Sequence, residues 1–239
     1  MTTESPLLHL PISRKWPPRD PTRLQLYSLP TPNGVKVSIM LEEMGLPYEA
    51  HRVSFDSGDQ RSPEFAWLNP NRKIPAIVDP DGPKGPQEPL ALWESGAILL
   101  YLANKPQGRH LLPEGEAERW ETLQWLMWQM GGVGPMLGQV HHFVKYNKGK
   151  SAYAEERYSK EAARLYGVLD RRLEGREFLA GEYSIADIAT WPWISRFEWQ
   201  EIDLNKFPNV RRWYTTIANR PAVQRGYKIP KDVGEIPMP

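Results

Sequence analysis

The sequence contains no cysteine among its 239 residues. That absence excludes disulfide bonds, thiolate metal ligands and a nucleophilic thiol that belongs to the protein. No apolar run approaches the roughly 18 residues that a membrane-spanning helix needs. Met1 to Thr22 also lacks the apolar core of a secretory signal. We therefore expect a cytoplasmic protein with no membrane partner.

The chain also lacks an excess of either charge, since 30 Lys and Arg stand against 29 Asp and Glu. Without a basic excess to attract a phosphate backbone, nucleic acid is not an expected partner. The proportions of 40% hydrophobic and 25% charged residues are those of an ordinary globular protein. Proline, by contrast, is abundant, with 24 residues. Pro-rich stretches at both ends and over 80–89 predict extended or looped segments, and the first 23 residues predict an irregular arm.

The first half of the chain alternates between strand and helix patterns. Short apolar or alternating runs predict strands at Leu24–Ser28, Tyr48–Phe55, Ile74–Asp79 and Pro89–Trp93. Between and after these strands, helices are predicted from an N-cap at Asn33 to Gly45, over Ser62–Leu68, and from an N-cap at Ser95 to Ala103. The resulting order, β-α-β-α-β-β-α, predicts a small α/β layer.

Beyond a Pro/Gly-rich linker, the chain has helical periodicity throughout. Trp120, Leu123, Met127 and Met130 share one face, which predicts a core or dimer-interface stripe rather than a cofactor site. Gly131, Gly132, Gly134 and Pro135 should then break or kink the helix. Further helices are predicted over 158–173, from a capping box at Ser184–Asp187, and over 208–219. The predicted divisions are an extension (1–23), an α/β domain (24–104), a linker (105–115), an all-helical domain (116–225) and a second extension (226–239).

Several motifs in this framework carry a family likeness. With Ile74-Pro75 ahead of its third strand, the first half resembles the thioredoxin-like domain of glutathione transferases, which implies a mixed four-stranded sheet followed by an all-α domain. Glu94-Ser95-Gly96-Ala97-Ile98 resembles that family's glutathione-binding segment. From about Leu24 to Pro221 the chain is similar to the bacterial nu-class transferases and the yeast nitrogen-regulator prion domain. The matching stretches are Pro30–Gly34, Gly58–Gln60, Asn69–Ile77, Gly131–His142 and Tyr153–Tyr158.

The resemblance implies that glutathione binds through its backbone and its γ-glutamyl end. A cis peptide bond at Ile74–Pro75 would present the backbone of Ile74 to the ligand as a strand does. Ser95, at a helix N-terminus, would hold the γ-glutamyl carboxylate, and Glu94 would accept from its ammonium. Elsewhere, a Glu-Ser pair is more often an ordinary cap beside a solvated acid.

Thr31 and Asn33 are the candidate catalytic residues. They lie between the first strand and the first helix, where a hydroxyl, an amide and the helix dipole would stabilise a thiolate over a thiol. Many transferases use Tyr or Ser in this region, and Tyr27 and Ser28 are close by, but Tyr27 ends the strand and is expected to be packed. The alternative is that Thr31 and Asn33 form only a turn and a cap.

Three further residues match ligand contacts of the family. Gln60 follows a Gly-containing loop, and the planar guanidinium of Arg157 suits a carboxylate. Lys73 could attract the glycyl carboxylate, although a solvated lysine is equally compatible with its position. A loop polar residue and a surface arginine are the alternatives for Gln60 and Arg157. Adjacent His141 and His142 face different ways on a helix, and no third ligand has metal spacing, so no metal is expected.

The resemblance implies a homodimeric, glutathione-dependent disulfide-bond reductase with lesser transferase and peroxidase activity. Its partners would be glutathione and a disulfide, a peroxide or an electrophilic small molecule. Two alternatives remain open: a non-catalytic glutathione-binding regulatory module, and a catabolic transferase that acts on ethers or halides. The acceptor, the number of glutathiones per subunit and the role of the two extensions stay undetermined at this point.

Overall fold

A computed structural model describes residues 5–85 and 87–239. The start of the predicted N-terminal extension, residues 1–4, and Pro86 of the Pro-rich 80–89 stretch lie outside the described residues. The chain divides into two compact units. The first comprises residues up to Leu102 together with Arg225–Gly234, and the second comprises Ala103–Gln224 and Glu235–Pro239.

The first unit is a sheet with helices, in the predicted order. Its strands are β1 (Leu24–Ser28), β2 (Tyr48–Arg52), β3 (Ala76–Asp79) and β4 (Leu90–Trp93). Its helices are α1 (Pro11–Lys15), α2 (Pro32–Met44), α3 (Pro63–Leu68) and α4 (Ser95–Ala103). The four-stranded sheet has the order β2-β1-β3-β4, with β1 and β2 parallel and the other pairs antiparallel. The mixed sheet of a thioredoxin-like domain is therefore confirmed.

The sequence predicted an irregular N-terminal arm, and this prediction is wrong. Its described part contains a 3₁₀ turn over Pro6–His9 and the short helix α1. Leu7 and Ile12 are completely buried, and they belong to the same core cluster as Phe65 of α3. The arm therefore forms part of the core of the first unit, because its few apolar side chains lie against the sheet and α3.

The second unit is helical. Its elements are α5 (Glu116–Trp128), α6 (Gly134–Val140), α7 (Ala152–Arg172), α8 (Ile185–Ile194), α9 (Pro208–Ala218) and α10 (Pro221–Tyr227), the last of which ends in the first unit. The predicted capping box is present: the Ser184 hydroxyl accepts from Ala186 N–H at 3.3 Å, and the Asp187 carboxylate accepts from Ser184 N–H at 3.1 Å. Within the described residues, no helix is long and apolar enough to cross a membrane.

The glycine-rich stretch after α5 changes the helical hydrogen-bonding pattern. A π turn over Gln129–Val133 joins α5 to α6, and a second π turn covers His141–Tyr146. Such turns add a residue to the helical repeat and often occur at functional sites. The predicted break is therefore a local change of pitch.

The predicted core or dimer-interface stripe on α5 is only partly buried. Trp120 and Met127 are 63% and 52% exposed, whereas Thr122 and Leu126 are buried. Leu123 and Met130 of the same stripe are half-buried, so of the two predicted roles, core or dimer interface, exposure favours the interface for Trp120 and Met127. An exposed apolar face is instead the feature expected of an interface.

Candidate functional site

The register of the sheet brings most of the predicted site residues to one edge. Tyr27 pairs with Ala76, Ala76 pairs with Trp93, and Ser28 pairs with Arg52. The ends of β1, β2 and β4 therefore lie beside the beginning of β3. The segments that meet this edge are 29–34, 53–62, 69–75 and 94–95, and they contain every predicted site residue except Arg157.

The N-terminus of α2 is fixed at this edge by Thr31 and Gly34. Thr31, rather than the predicted Asn33, is the N-cap, because Pro32 starts the helix and the Thr31 hydroxyl accepts from Gly34 N–H at 3.3 Å. A Cβ on Gly34 would lie 1.9 Å from the carbonyl oxygen of Leu29, so only glycine fits there. This close packing holds Thr31 and the half-buried Asn33 at the end of β1, in the first turn of a helix whose dipole favours an anion.

Tyr27 is packed, as predicted, and is not available as a ligand contact. It is fully buried and stacks on His51 with ring centroids 4.7 Å apart. Burial raises the pKa of its hydroxyl well above the usual range, with a smaller contribution from Glu49. A tyrosine in this state does not supply an exposed hydroxyl to a thiol.

The loop that leads into β3 has a cis Ile74–Pro75 bond, as expected. Asn69, which is 1% exposed, ties this loop together: its amide donates to the Lys73 carbonyl at 2.7 Å and accepts from Asn71 N–H at 2.9 Å. Ile74 is buried and Lys73 is exposed. Sequence reasoning missed this role of Asn69, although an Asn ahead of a proline is a typical turn-forming signal.

The N-cap of α4 lies one residue earlier than predicted. The Glu94 carbonyl accepts from Ile98 N–H at 2.9 Å, so Glu94 is the N-cap and Ser95 is the first helical residue. Glu94 has a φ of 71°, which is uncommon for a residue with a side chain. Its side chain is exposed, whereas Ser95 is only 4% exposed. The pair thus presents an exposed carboxylate and a sheltered hydroxyl at the N-terminus of α4.

A buried lysine of α2 lies behind Ser95. Lys36 is completely buried, and its Nζ donates to Ser95 Oγ at 3.3 Å. Burial lowers the pKa of this ammonium to about 7, while the Glu94 carboxylate acts in the opposite direction. Sequence reasoning missed Lys36, because a single lysine on a helix is usually solvated.

Gln60 lies in a 3₁₀ turn that the N-terminal arm contacts. Asp59, the first residue of this turn, pairs with Lys15 of α1 at 2.9 Å and accepts from Ser54 N–H at 2.9 Å. Within the described chain, the buried Oε1 of Gln60 has no hydrogen-bond partner. An unsatisfied buried amide oxygen is costly, and a donor group of a bound ligand would remove that cost.

Arg157 lies in the second unit, on α7. It lines a cleft of about 530 Å³ whose other charged residues are Glu156, Lys160, Glu161 and Arg164. Lys160 pairs with Glu156, and Arg164 pairs with Glu161 at 2.7 Å. Among the described residues, Arg157 has no ion pair, although its charge helps to lower the pKa of Glu161, so its guanidinium can donate to a carboxylate.

The two adjacent histidines have different environments. His141 is buried beside Trp193, whereas His142 is exposed. No group of three or more His, Asp or Glu side chains that could hold a metal ion occurs over residues 5–85 and 87–239.

Comparison with known proteins assigns the chain to one family. Residues 31–105 match the family model described as glutathione S-transferase, N-terminal domain, and residues 133–221 match that of the C-terminal domain. The disulfide-bond oxidoreductase YfcG of Escherichia coli K12 is 52% identical over 200 residues, which cover 83% of this chain and 92% of that protein.

Solved structures agree with this relationship. A glutathione transferase from Pseudomonas putida, with one glutathione disulfide bound per subunit, is 55% identical with a TM-score of 0.89 and covers 94% of this chain and 99% of its own. A glutathione transferase from Burkholderia graminis, with two glutathione molecules bound per subunit, is 53% identical with a TM-score of 0.90. The match covers 97% of this chain and 98% of that protein. The chain belongs to the glutathione S-transferase family.

Proposed function

We propose that this chain is a glutathione-dependent disulfide-bond reductase, with lesser transferase and peroxidase activity, whose nucleophile is the thiolate of bound glutathione. The observation that carries this proposal is the convergence of Thr31, Asn33, Gln60, Pro75 and Ser95 at one edge of the sheet. The 52% identity to a protein named as a disulfide-bond oxidoreductase supports the reaction class. The absence of cysteine leaves the ligand as the source of the reactive sulfur.

Each part of glutathione has a chemically suited group in this arrangement. Ser95 and the N-terminus of α4 suit the γ-glutamyl carboxylate, and Glu94 suits the ammonium beside it. The backbone of Ile74 suits the cysteinyl peptide, as one strand pairs with another. Gln60 and Lys73 suit the polar and carboxylate groups that remain. Arg157, in the second unit, suits a carboxylate of a ligand at its cleft.

The reaction follows from a stabilised thiolate. The Thr31 hydroxyl, the Asn33 amide and the dipole of α2 favour the thiolate of glutathione over its thiol and lower the thiol's pKa. The thiolate attacks one sulfur of the acceptor disulfide, so a new S–S bond forms and the other sulfur leaves as a thiolate that takes a proton. A second glutathione thiolate then attacks the mixed disulfide and releases glutathione disulfide and the second acceptor thiol. The acceptor gains two electrons, and two glutathiones supply them.

Three finer features belong to the same proposal. The exposed Trp120 and Met127, two turns apart on one face of α5, support a homodimer, because exposed apolar surface of this kind often marks an interface. A thiol-dependent reductase needs a compartment where glutathione is kept reduced, which supports the cytoplasm. The motifs of Pro30–Gly34 and Asn69–Ile77 support assignment to the nu class.

A turnover panel with glutathione and three acceptors tests the function. The acceptors are a small dialkyl disulfide, an organic hydroperoxide and an aryl halide, each assayed with the intact protein. We expect the disulfide to be turned over most efficiently. Binding of glutathione without turnover of any acceptor would favour the regulatory-module alternative, and a preference for the halide would favour the catabolic transferase.

Substitutions at Thr31 and Asn33 test the assignment of the catalytic residues. We expect Thr31→Val combined with Asn33→Ala to raise the pKa of the bound thiol and to lower disulfide reduction about ten- to a hundredfold, because charge-assisted hydrogen bonds are worth about 1.5–3 kcal/mol. The thiol's pKa is read from the ultraviolet absorbance of the thiolate. Thr31→Ser is the matched control, since it keeps both hydroxyl and cap and should retain most of the activity. Unchanged turnover by the double variant, with the native far-ultraviolet spectrum, would refute the roles of both residues.

A further inference from the structure

Lys36 is an unusual residue for the middle of a buried helix face. Fully buried lysines are rare, because removing an ammonium from water costs several kcal/mol unless a partner compensates. Here the side chain is completely buried and its Nζ reaches Ser95 Oγ at 3.3 Å. A lysine retained at such a position calls for a physical reason, and packing alone would be served by methionine or leucine.

The position of the ammonium supplies that reason. Ser95 is the first residue of α4, where the helix dipole and the backbone N–H groups favour an anion. Lys36 comes from a different element, α2, and its charge lies one hydroxyl away from this helix end. Two independent sources of positive potential therefore act at the same hydroxyl. Both are largely removed from water, where their effect on an anion is strongest.

The Glu94 carboxylate opposes this effect. Glu94 interacts electrostatically with Lys36 and partly restores the protonated form, whereas burial disfavours it. The Glu94 side chain itself is exposed, so solvent screens much of its charge. An anion seated at Ser95 would add a second, less screened negative charge close to the ammonium. Binding of such an anion should therefore draw a proton onto Lys36.

We propose that Lys36 is a positioning residue of the γ-glutamyl subsite: its buried ammonium holds the Ser95 hydroxyl and provides the positive charge that the ligand's α-carboxylate requires. The proposal rests on the proposed function, since it assigns the carboxylate to Ser95. It goes beyond the proposed function, because it predicts that affinity for the γ-glutamyl α-carboxylate depends on Lys36, a side chain that does not contact solvent.

Two ligands that differ only in the carboxylate provide the test. The first is S-methylglutathione, which has no titrating thiol, and the second is its 4-aminobutyryl analogue, which lacks the γ-glutamyl α-carboxylate. Their dissociation constants are measured by calorimetry with the wild-type protein, with Lys36→Met and with Lys73→Met. The last variant is the matched control, because Lys73 is exposed and the glycyl carboxylate that it would attract is present in both ligands.

Only Lys36→Met should change the preference between the two ligands. Wild type should prefer S-methylglutathione, and Lys36→Met should reduce that preference by about tenfold or more, the scale of a lost charge-assisted interaction. Lys73→Met should weaken both ligands by the same factor. If Lys36→Met also weakens both ligands equally, Lys36 supports only the fold and the proposal is overturned.

The wild-type protein provides a second arm that does not depend on folding of a variant. Its preference for S-methylglutathione should fall between about pH 6 and pH 9, and binding near neutral pH should take up protons, seen as a dependence of the binding enthalpy on the buffer. A preference that is flat with pH and binding without proton uptake would overturn the role of Lys36. Failure of wild type to bind either ligand would instead refute the proposed function itself, which separates the two outcomes.

Discussion

His141 should make the protein sensitive to mild acid, because its neighbours require it to be neutral. The amide of Gln200 is oriented by two bonds: its Oε1 accepts from the Tyr166 hydroxyl at 2.6 Å, and its Nε2 donates to the Trp193 carbonyl at 2.9 Å. The same Nε2 lies 3.1 Å from His141 Nε2, which must therefore act as an acceptor. A proton on that nitrogen would set one N–H against another.

The size of the effect follows from the titration of the ring. Burial, assisted by the nearby Arg196 charge, lowers the pKa of His141 to about 4 from an ordinary value of 6.5. The unfolded chain therefore takes up a proton between these two values while the folded chain does not, so stability falls as the pH drops through this window. Between pH 8 and pH 5, the titration of His141 should lower the free energy of unfolding by about 2 kcal/mol.

Urea unfolding of wild type and His141→Gln at the two pH values measures this term. Glutamine keeps an acceptor near the position of Nε2 and does not titrate, so His141→Gln should be less stable than wild type at pH 8 but should lose about 2 kcal/mol less on moving to pH 5. The difference between the two proteins cancels other titrating groups, including His51, whose pKa burial also lowers. An equal loss of stability in both proteins would refute the neutral, acceptor state of the ring.

Two further substitutions test other parts of the fold. Asp187→Asn should lower the free energy of unfolding in urea by about 2–4 kcal/mol. The buried carboxylate accepts from Leu179 N–H at 3.0 Å, from Trp213 Nε1–H at 2.8 Å and from Ser184 N–H. An asparagine amide would point its NH₂ group at one of these donors. Trp16→Ala should cost roughly 2 kcal/mol in the same assay, since it removes a bond to the Arg52 carbonyl at 3.0 Å and an edge contact with the ring of Tyr27. An unchanged urea midpoint in either variant would contradict the contact assigned to it.

The sequence predicts well those elements whose signals are local. β1 was predicted with its observed bounds because its alternation is regular, and the capping box at Ser184 is a pattern of adjacent residues. α4 also has the predicted span, although its cap is Glu94, since a left-handed glutamate has no distinct sequence signal. The edge of the sheet where the site residues meet follows from strand register, which the family resemblance implies but which composition and periodicity do not.

The features that sequence reasoning missed depend on contacts distant along the chain. α1 is a five-residue helix, too short to show a periodic pattern, and it is stabilised by packing rather than by propensity. The stripe of Trp120 and Met127 has helical spacing, but spacing cannot tell whether an apolar face meets the same chain or another. Lys36 was overlooked because its partner, Ser95, lies 59 residues away.

The packing of the N-terminal arm has a consequence for synthesis and for engineering of the chain. Leu7 and Ile12 are synthesised before the apolar residues that cover them, which include Phe65 and Ile74. During translation these side chains stay uncovered until α3, β3 and β4 have been made, and the first unit is complete only after Arg225–Gly234. A chain that began at Leu24, the first residue of β1, would lack Leu7 and Ile12 and would expose the side of α3 that they cover. Fusion partners should therefore be joined ahead of the arm, with a spacer, and never substituted for it.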